Sequence, residues 1–413
     1  MTVLHIRRER LLESIRELSC IGATSKGGVT RFALTGEDRQ AREWLQARAK
    51  AHDLDSHFDA VGNLFVYCRA DAAGGPPVLV GSHVDTVPDG GRYDGALGVL
   101  AGLESLISLQ ESKAQLSRPV WLAVWTEEEG SRFRNGLIGS RAFIGEVAPT
   151  ELDDADAQGI TLASALRNWE LEPAQLTEVA REPGQVHAYV ELHIEQGAKL
   201  DAAGLQVGVV TGIVGIRRYD VSVKGQANHA GTTPMHLRQD ALVAAAQMVQ
   251  SVEQLVKASG HADAVGTVGK LSVQPGGVNV VPGQVDFSLE VRDLETSVMD
   301  ELVERILSKF REIADTRNVQ LCWELTSDVK PAPLSREIRQ TIAEVASDLG
   351  YSWQDMPSGA GHDAQHLACI CPTGMIFVPS KDGISHSPHE FTADDDCVRG
   401  ANVLLNTIVQ LAK

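Results

Sequence analysis

Apolar residues are spaced in two different ways along this chain. Pro77 to Gln110 opens on an unbroken apolar run, Val78-Leu79-Val80-Gly81, crosses a Gly-rich loop, and continues with Leu97, Leu100, Leu103 and Ile107 at helical intervals. The short run predicts a buried strand and the later spacing a helix behind it. Val120 to Trp125 is a second such strand and runs straight into Thr126-Glu127-Glu128-Glu129-Gly130. Apolar strands separated by helices predict an α/β domain with a mixed, largely parallel sheet flanked by helices. Ligands bind in the loops that leave the carboxyl ends of such strands.

From about Ile213 the pattern changes. Ile216 to Val223 alternates like a half-exposed strand, Asp240 to Lys257 is helical, Ala264 to Val273 and Gly283 to Arg292 read as strands, Ser297 to Asn318 as a helix, and Val319 to Leu325 as a strand. That βαββαβ order predicts a ferredoxin-like α+β insert, an antiparallel sheet with helices on one face. Gly212 and Gly215 mark its entry and Pro331-Ala-Pro333 its exit. Glu337 to Asp348 is then helical, and Gly374 to Val378 is a core strand that delivers Pro379 to His386. The expected boundaries are 1–212 for the first part of the α/β domain, 213–328 for the insert and 329–413 for the second part.

The N-terminal stretch, Met1 to Cys20, mixes Arg and Glu with Leu and Ile at helical spacing and has no apolar h-region, so it predicts an amphipathic helix and not a signal peptide. No apolar run approaches the ~20 residues of a membrane span. A formal net charge of −18 without any basic run argues against a nucleic-acid partner. The six cysteines are scattered, and the one close pair, Cys369-x-Cys371, lacks metal or redox spacing; reduced thiols and a cytoplasmic location are expected.

Five residues of metal-ligand type stand in motifs of their own: His83 in Gly-Ser-His-Val-Asp, Asp94 in Gly-Arg-Tyr-Asp-Gly, Glu129 in Thr-Glu-Glu-Glu-Gly, His193 in Glu-Leu-His-Ile-Glu and His386 in Gly-Ile-Ser-His-Ser-Pro. Each alone has an ordinary reading: a core histidine, an Asp-Gly turn, a solvated acidic turn. Together they can hold two divalent cations that share one carboxylate, as expected of a hydrolase acting on amide-like bonds. Asp85, two positions after His83, points to the same side and can orient its imidazole. Asp94 stands at a helix start, where unpaired amides and the positive dipole end favour a carboxylate. Glu127, Glu128 and Glu129 repel one another unless cations or solvent relieve them, and one can bind metal while its neighbour moves protons. Strand alternation puts Glu191, His193 and Glu195 on one face, and the loop around His386 is held irregular by Pro388. Gly359-Ala-Gly-His-Asp-Ala364 matches a dinucleotide-binding pattern, but Ser352 to Ser358 before it is polar and Pro-broken where that motif needs an apolar strand. Close backbone approach to a ligand is the better use of those glycines.

These motifs, in this order and over nearly the whole chain, resemble the M20-type metallopeptidase superfamily. Within it they resemble the amidase branch of N-carbamoyl-L-amino-acid hydrolases, allantoate amidohydrolases and β-ureidopropionases. The resemblance rests on Gly81-Ser-His-Val-Asp-Thr-Val87, Gly90-Gly-Arg-Tyr-Asp-Gly95, Glu128-Glu-Gly-Ser-Arg-Phe133, Glu191-Leu-His-Ile-Glu-Gln-Gly197, Asn228-His-Ala-Gly-Thr-Thr-Pro234, Gly277-Val-Asn-Val-Val-Pro282 and Ser385-His-Ser-Pro388. It implies that His83, Asp94 and His193 hold one ion and Asp94, Glu129 and His386 the other, with Asp94 bridging. Glu128 matches the general base, Asp85 the support of His83, and Arg292 the holder of the substrate carboxylate. His229 matches a carbonyl contact supplied by the partner subunit, and Gln196, Asn279 and Gly361 match the remaining substrate contacts. His193 stands where peptidase relatives usually carry an acidic residue, which points to the amidase branch.

The resemblance further implies a catalytic domain interrupted by a dimerisation and lid domain, a homodimer formed through that insert, and two divalent ions per subunit, of Zn, Mn, Co or Ni. It implies a small ureido or carbamoyl substrate with a carboxylate: an N-carbamoyl-L-amino acid first, with allantoate, ureidoglycolate and β-ureidopropionate as alternatives. A non-catalytic relative would have lost a ligand or the base, and none is missing. An unusual backbone is expected at Asp94-Gly95, a non-proline cis peptide as in relatives being one form of it. Glu127, at a position often Asn in relatives, is expected to add charge beside the base.

Overall fold

Four apolar runs, Val78–His83, Val120–Trp125, Ala188–Ile194 and Thr373–Val378, form the parallel centre of a nine-stranded mixed sheet. The structure is a computed structural model and describes residues 3–68 and 74–413. Val78–His83 lies between Val120–Trp125 and Ala188–Ile194, and Thr373–Val378 pairs with the far side of Ala188–Ile194, all parallel. Strands buried on both faces read as continuous apolar runs, and the three inner ones are buried at every position. An antiparallel hairpin, Leu54–Phe58 with Leu64–Cys68, closes one side on Val120–Trp125, and Val207–Ile213 runs antiparallel on the other.

The chain leaves Val78–His83 in one direction, to Val120–Trp125, and later returns on its other side as Ala188–Ile194. The crevice outside the carboxyl ends of two strands related in this way is where open α/β sheets bind ligands. Helix Ala96–Ser112, buried nearly all round, packs on the sheet beneath helices Arg8–Ser19 and Asp394–Leu411. A helix apolar on every side is one covered on every side.

Three expectations change here. The first helix is Arg8–Ser19 and not the whole N-terminal stretch; Arg7 before it is extended, Ile6 donates its amide to Asn402, and Met1 and Thr2 lie outside the described residues. Trp353–Ser358 is a strand despite Pro357, paired to Val207–Ile213 off the main strand path. Proline is tolerated on such flanking strands because the missing N–H need not join a ladder. Only a four-residue helix, Ala364–Leu367, follows it, too short for a dinucleotide fingerprint helix. Ala264 to Val273 divides into Val265–Thr267 and Leu271–Gln274, both pairing with Gln284–Asp293, and Gly269 lies in the break. Glycine inside a strand weakens it and marks such irregularities.

The chain separates into two compact units, Met1–Thr211 with Pro333–Lys413, and Gly212–Ala332. In the second, the strand order is Leu271–Gln274, Gln284–Asp293, Gly215–Lys224, Gln320–Val329, antiparallel throughout. Alternate residues of Gln284–Asp293, namely Val285, Phe287, Leu289 and Val291, are buried with Met248 of helix Ala241–Lys257 and Leu302, Ile306 and Phe310 of helix Thr296–Arg317. Among the described residues no helix is long and apolar enough to cross a membrane.

Candidate metal centre

Each of the four parallel strands delivers part of one polar cluster at its carboxyl end. His83 ends its strand, Glu128 and Glu129 follow Trp125, His193 is the penultimate residue of Ala188–Ile194, and His386 lies in the loop after Val378. Asp94 lies just before helix Ala96–Ser112. Three non-glycine residues here, Glu127, Gln196 and His386, have left-handed backbone, with φ of 54, 57 and 53°. Such conformations cost of order 1–3 kcal/mol each and gather at functional sites.

Asp94 is the hub. Its Oδ1 lies 3.2 Å from His193 Nε2 and 3.6 Å from His83 Nε2, and its Oδ2 lies 3.4 Å from His386 Nε2. His386 Nε2 is also 3.4 Å from Glu129 Oε2, and His83 Nε2 is 3.5 Å from Glu128 Oε2. The ligand atoms of His83, Asp94 and His193 lie within 4.8 Å of one another, as do those of Asp94, Glu129 and His386. Gln196 donates its side-chain amide to Asp94 Oδ2 at 2.7 Å. His362, next to Gly361, meets the His193 ring edge to face, with ring centres 4.5 Å apart.

Several details differ from expectation. His83 Nδ1 is oriented by the main-chain carbonyl of Asp85 at 3.0 Å; the Asp85 carboxylate is 3.9 Å away and accepts the amides of Glu128 and Glu129 at 3.3 and 3.1 Å. Asp85 therefore ties the His83 strand to the acidic loop. Asp94 does not cap the helix that follows it, because its side chain turns to the imidazoles. The Asp94–Gly95 peptide is trans; the chain turns instead at Gly95, with φ of 62°, where a Cβ would lie 2.4 Å from the His83 ring. Glu127 faces its own loop, its Oε1 accepting the amides of Arg132 and Phe133 at 2.9 and 2.8 Å. Glu195 leaves the cluster to accept the amides of Lys199 and Leu200.

The electrostatics follow from crowding without water. Burial pushes Glu128 well above the usual carboxylate range, Glu129 and Asp363 adding to it and His83 opposing. Burial, then Asp94, pushes Glu129 up to about 7. Burial also disfavours the Asp94 charge, but His193, His386 and His83 outweigh it and hold that carboxyl well below its usual range. The hydrogen bond to Asp94 raises His386 to about 9. Protons thus occupy a place that divalent cations would neutralise. His83 Nε2 is buried without a hydrogen-bond partner, and imidazole plus carboxylate is a donor set for Zn, Mn, Co or Ni. The residues fit two such ions.

In the second unit, His229 is exposed, and its Nδ1 accepts the amides of Gly231 and Thr232 at 3.0 and 3.2 Å. That leaves the proton of a neutral ring on Nε2, as a donor. His229 pairs with Val280 in a two-stranded ladder, and Asn279 accepts the amide of Ala230. Arg292 donates its Nε to Glu290 at 2.7 Å.

Sequence reasoning missed residues that hold the cluster from behind. Glu191 accepts Ser82 Oγ at 2.8 Å and the Ala364 amide at 3.1 Å, and Glu390 accepts the amides of Tyr93 and Asp94. Buried Arg42 pairs with buried Asp38 and donates to the carbonyls of Gly62, Val124 and Trp125. For Glu390 the available signal was an acid four positions after His386.

The model of peptidase family M20/M25/M40 matches residues 79–410. The chain belongs to that family. It is 44% identical over 408 residues to an N-carbamoyl-L-amino acid amidohydrolase of Geobacillus stearothermophilus, with 99% of each chain covered. It is 37% identical over 409 residues to the allantoate amidohydrolase of Escherichia coli (strain K12), with 98% of each covered. Among solved structures, an amidase of the hydantoinase/carbamoylase family from Burkholderia multivorans superposes with a TM-score of 0.94 at 36% identity, covering 99% of this chain and 98% of that one.

Proposed function

We propose that this protein is a dinuclear metal-dependent amidohydrolase that cleaves the carbamoyl amide of an N-carbamoyl-L-amino acid, consuming water and releasing the free amino acid, ammonia and carbon dioxide. The observation that carries the reading is Asp94, whose two oxygens face different donor groups, His83 with His193 and His386 with Glu129. The 44% identity to a carbamoyl amidohydrolase supports that substrate class, and the 37% identity to an allantoate amidohydrolase supports allantoate as the second reading.

In this reading His83, Asp94 and His193 hold one ion and Asp94, Glu129 and His386 the other. Two such ions supply Lewis acidity toward a carbonyl and toward water. Glu128 takes a proton from the attacking water and returns it to the leaving nitrogen; burial raises its carboxyl, which favours holding the proton between the two steps. Asp85 holds the backbone of Glu128 and Glu129 at the distance this needs. His229 offers its Nε2 proton to the substrate oxygen in the site of a partner copy as charge builds there, so that the site is shared across a homodimer, and Arg292 grips the substrate carboxylate in its own chain's site, its Nε held by Glu290. Gln196, Asn279 and Gly361 complete the substrate contacts.

We further read 213–328 as a ferredoxin-like lid and dimerisation domain between catalytic parts 1–212 and 329–413. Its antiparallel strand order supports the fold, and exposed Met235, Leu237 and Val278, in the segments flanking the His229 ladder, support a second copy of this chain as its partner. The test is a hydrolysis panel of N-carbamoyl-L-amino acids, allantoate, ureidoglycolate and β-ureidopropionate on metal-stripped protein reloaded with Zn, Mn, Co or Ni. Ammonia release fastest from N-carbamoyl-L-amino acids is expected; no ammonia from any of them would end the reading.

A further inference from the structure

We propose that Glu390, acting through Ser385 and the backbone of Tyr93 and Asp94, is a positioning residue that sets the plane of the Asp94 carboxylate. The inference rests on the reading of Asp94 as the shared ligand of two ions. Glu390 is buried, and its Oε1 accepts two consecutive amides, those of Tyr93 at 2.9 Å and Asp94 at 3.1 Å. Its Oε2 lies 2.9 Å from Ser385 Oγ, and the same hydroxyl lies 2.9 Å from Asp94 Oδ2. One carboxylate thus holds the Asp94 main chain and shares a single hydroxyl with the Asp94 side chain. The space it fills is reserved, since a Cβ on Gly91 would lie 1.9 Å from Glu390 Oε1.

Asp94 needs such a grip. It precedes a left-handed glycine and makes no cap bond to the helix behind it, so nothing in its own segment fixes the side-chain torsion that turns Oδ1 to His83 and His193 and Oδ2 to His386. Ser385 is next in sequence to His386, so the same contact ties the His386 loop to the hub. A hydroxyl donates one proton at a time. Glu390 therefore competes with Asp94 for it, and leaves Asp94 Oδ2 free of a permanent donor from Ser385.

Glu390→Gln separates these functions. The amide oxygen still accepts from Tyr93 and Asp94, while the new NH₂ donates to Ser385 Oγ and commits the hydroxyl to Asp94 Oδ2. The ion on the Glu129–His386 side should then weaken, and the other should not. The experiment strips wild type, Glu390→Gln and Ser385→Ala with a chelator, titrates each with Zn or Mn by calorimetry, and counts ions by elemental analysis. Circular dichroism and thermal unfolding of the stripped proteins check the fold. Two ions are expected in wild type; in Glu390→Gln one step should be unchanged and the other weaker by at least ~10-fold, with unfolding of the stripped protein unmoved. In Ser385→Ala, which removes only the hydroxyl, the same step should change. If Glu390→Gln does not fold, Ser385→Ala decides. Two ions bound with wild-type affinity in both steps, by whichever variants fold, overturns the positioning role. Fewer than two ions in wild type overturns the two-metal reading itself, and this inference with it.

Discussion

Replacing Arg42 with Met tests how the acidic loop is anchored. Arg42 and Asp38 are both fully buried and 2.9 Å apart, and Asp38 also accepts the Leu34 amide at 2.8 Å. The guanidinium donates to the carbonyls of Gly62, Val124 and Trp125 at 3.1, 3.0 and 2.9 Å, the last two at the end of the strand that leads into Glu128 and Glu129. Removing one member of a buried pair leaves the other charge uncompensated, at roughly 3–5 kcal/mol. Each of the three carbonyls that loses its donor adds ~1 kcal/mol where water cannot replace it, so a cost at or above the top of that range is expected. Against a total stability of roughly 5–15 kcal/mol this is severe. Urea unfolding followed by tryptophan fluorescence suits the test, because the Trp169 ring lies 6.0 Å from the guanidinium. Adding Asp38→Leu should recover most of the stability, since a packed apolar pair often equals a buried ion pair. The double variant still lacks the grip on Val124 and Trp125, so its turnover should stay below wild type. A cost under about 1 kcal/mol for Arg42→Met, or no recovery in the double variant, would refute the coupling.

Glu128→Gln should keep both ions and slow turnover by at least ~10²-fold, because it removes only the proton carrier; near-normal turnover at full metal content would place the base elsewhere. Glu127 is then the first alternative, since the Arg132 and Phe133 amides occupy only its Oε1 and leave its Oε2 buried without a partner. The raised His386 pKa, about 9 in the metal-free protein, makes ion uptake release a proton below that pH. The sign is that the His386 proton stabilises the metal-free fold most below pH 6.5 and loses that effect by about 9, whereas ion affinity rises with pH over the same window. Calorimetry in buffers of different ionisation enthalpy should count the proton near pH 7, and the count should fall in His386→Ala; an unchanged count refutes the assignment. Mixing inactive His229→Ala with inactive Glu128→Gln subunits should restore one working site per mixed dimer, and proven mixed dimers without activity would sink the shared-site proposal.

The sequence made the strand ends legible because the parallel strands are short apolar runs and polar residues follow them at once, as Trp125 is followed by Thr126 and Glu127. The alternation of the Gln284–Asp293 strand was readable for the same reason, a core on one face only. The contacts were not. Which atom of Asp85 faces His83 depends on the pairing of Val78–His83 with Val120–Trp125, and the reach of Glu390 to Tyr93 spans 297 positions of sequence. Local grammar carries no such information. Trp353–Ser358 was misread because proline was weighed without knowing that its strand lies off the main path of the sheet. The unusual backbone expected at Asp94-Gly95 is present, as the positive φ of Gly95 and not as a cis bond.

The parallel centre has a consequence for the order in which this protein can mature. Thr373–Val378 pairs along its whole length with Ala188–Ile194, and the loop that follows it carries Ser385, His386 and Glu390. A ribosome must therefore finish the insert and most of the remaining chain before the last histidine can meet Asp94. Until then His83, Asp94, Glu129 and His193 lack His386. On the proposed two-ion reading, loading at the Glu129–His386 side is a late step, and an arrested chain ending before Thr373 should capture at most one ion.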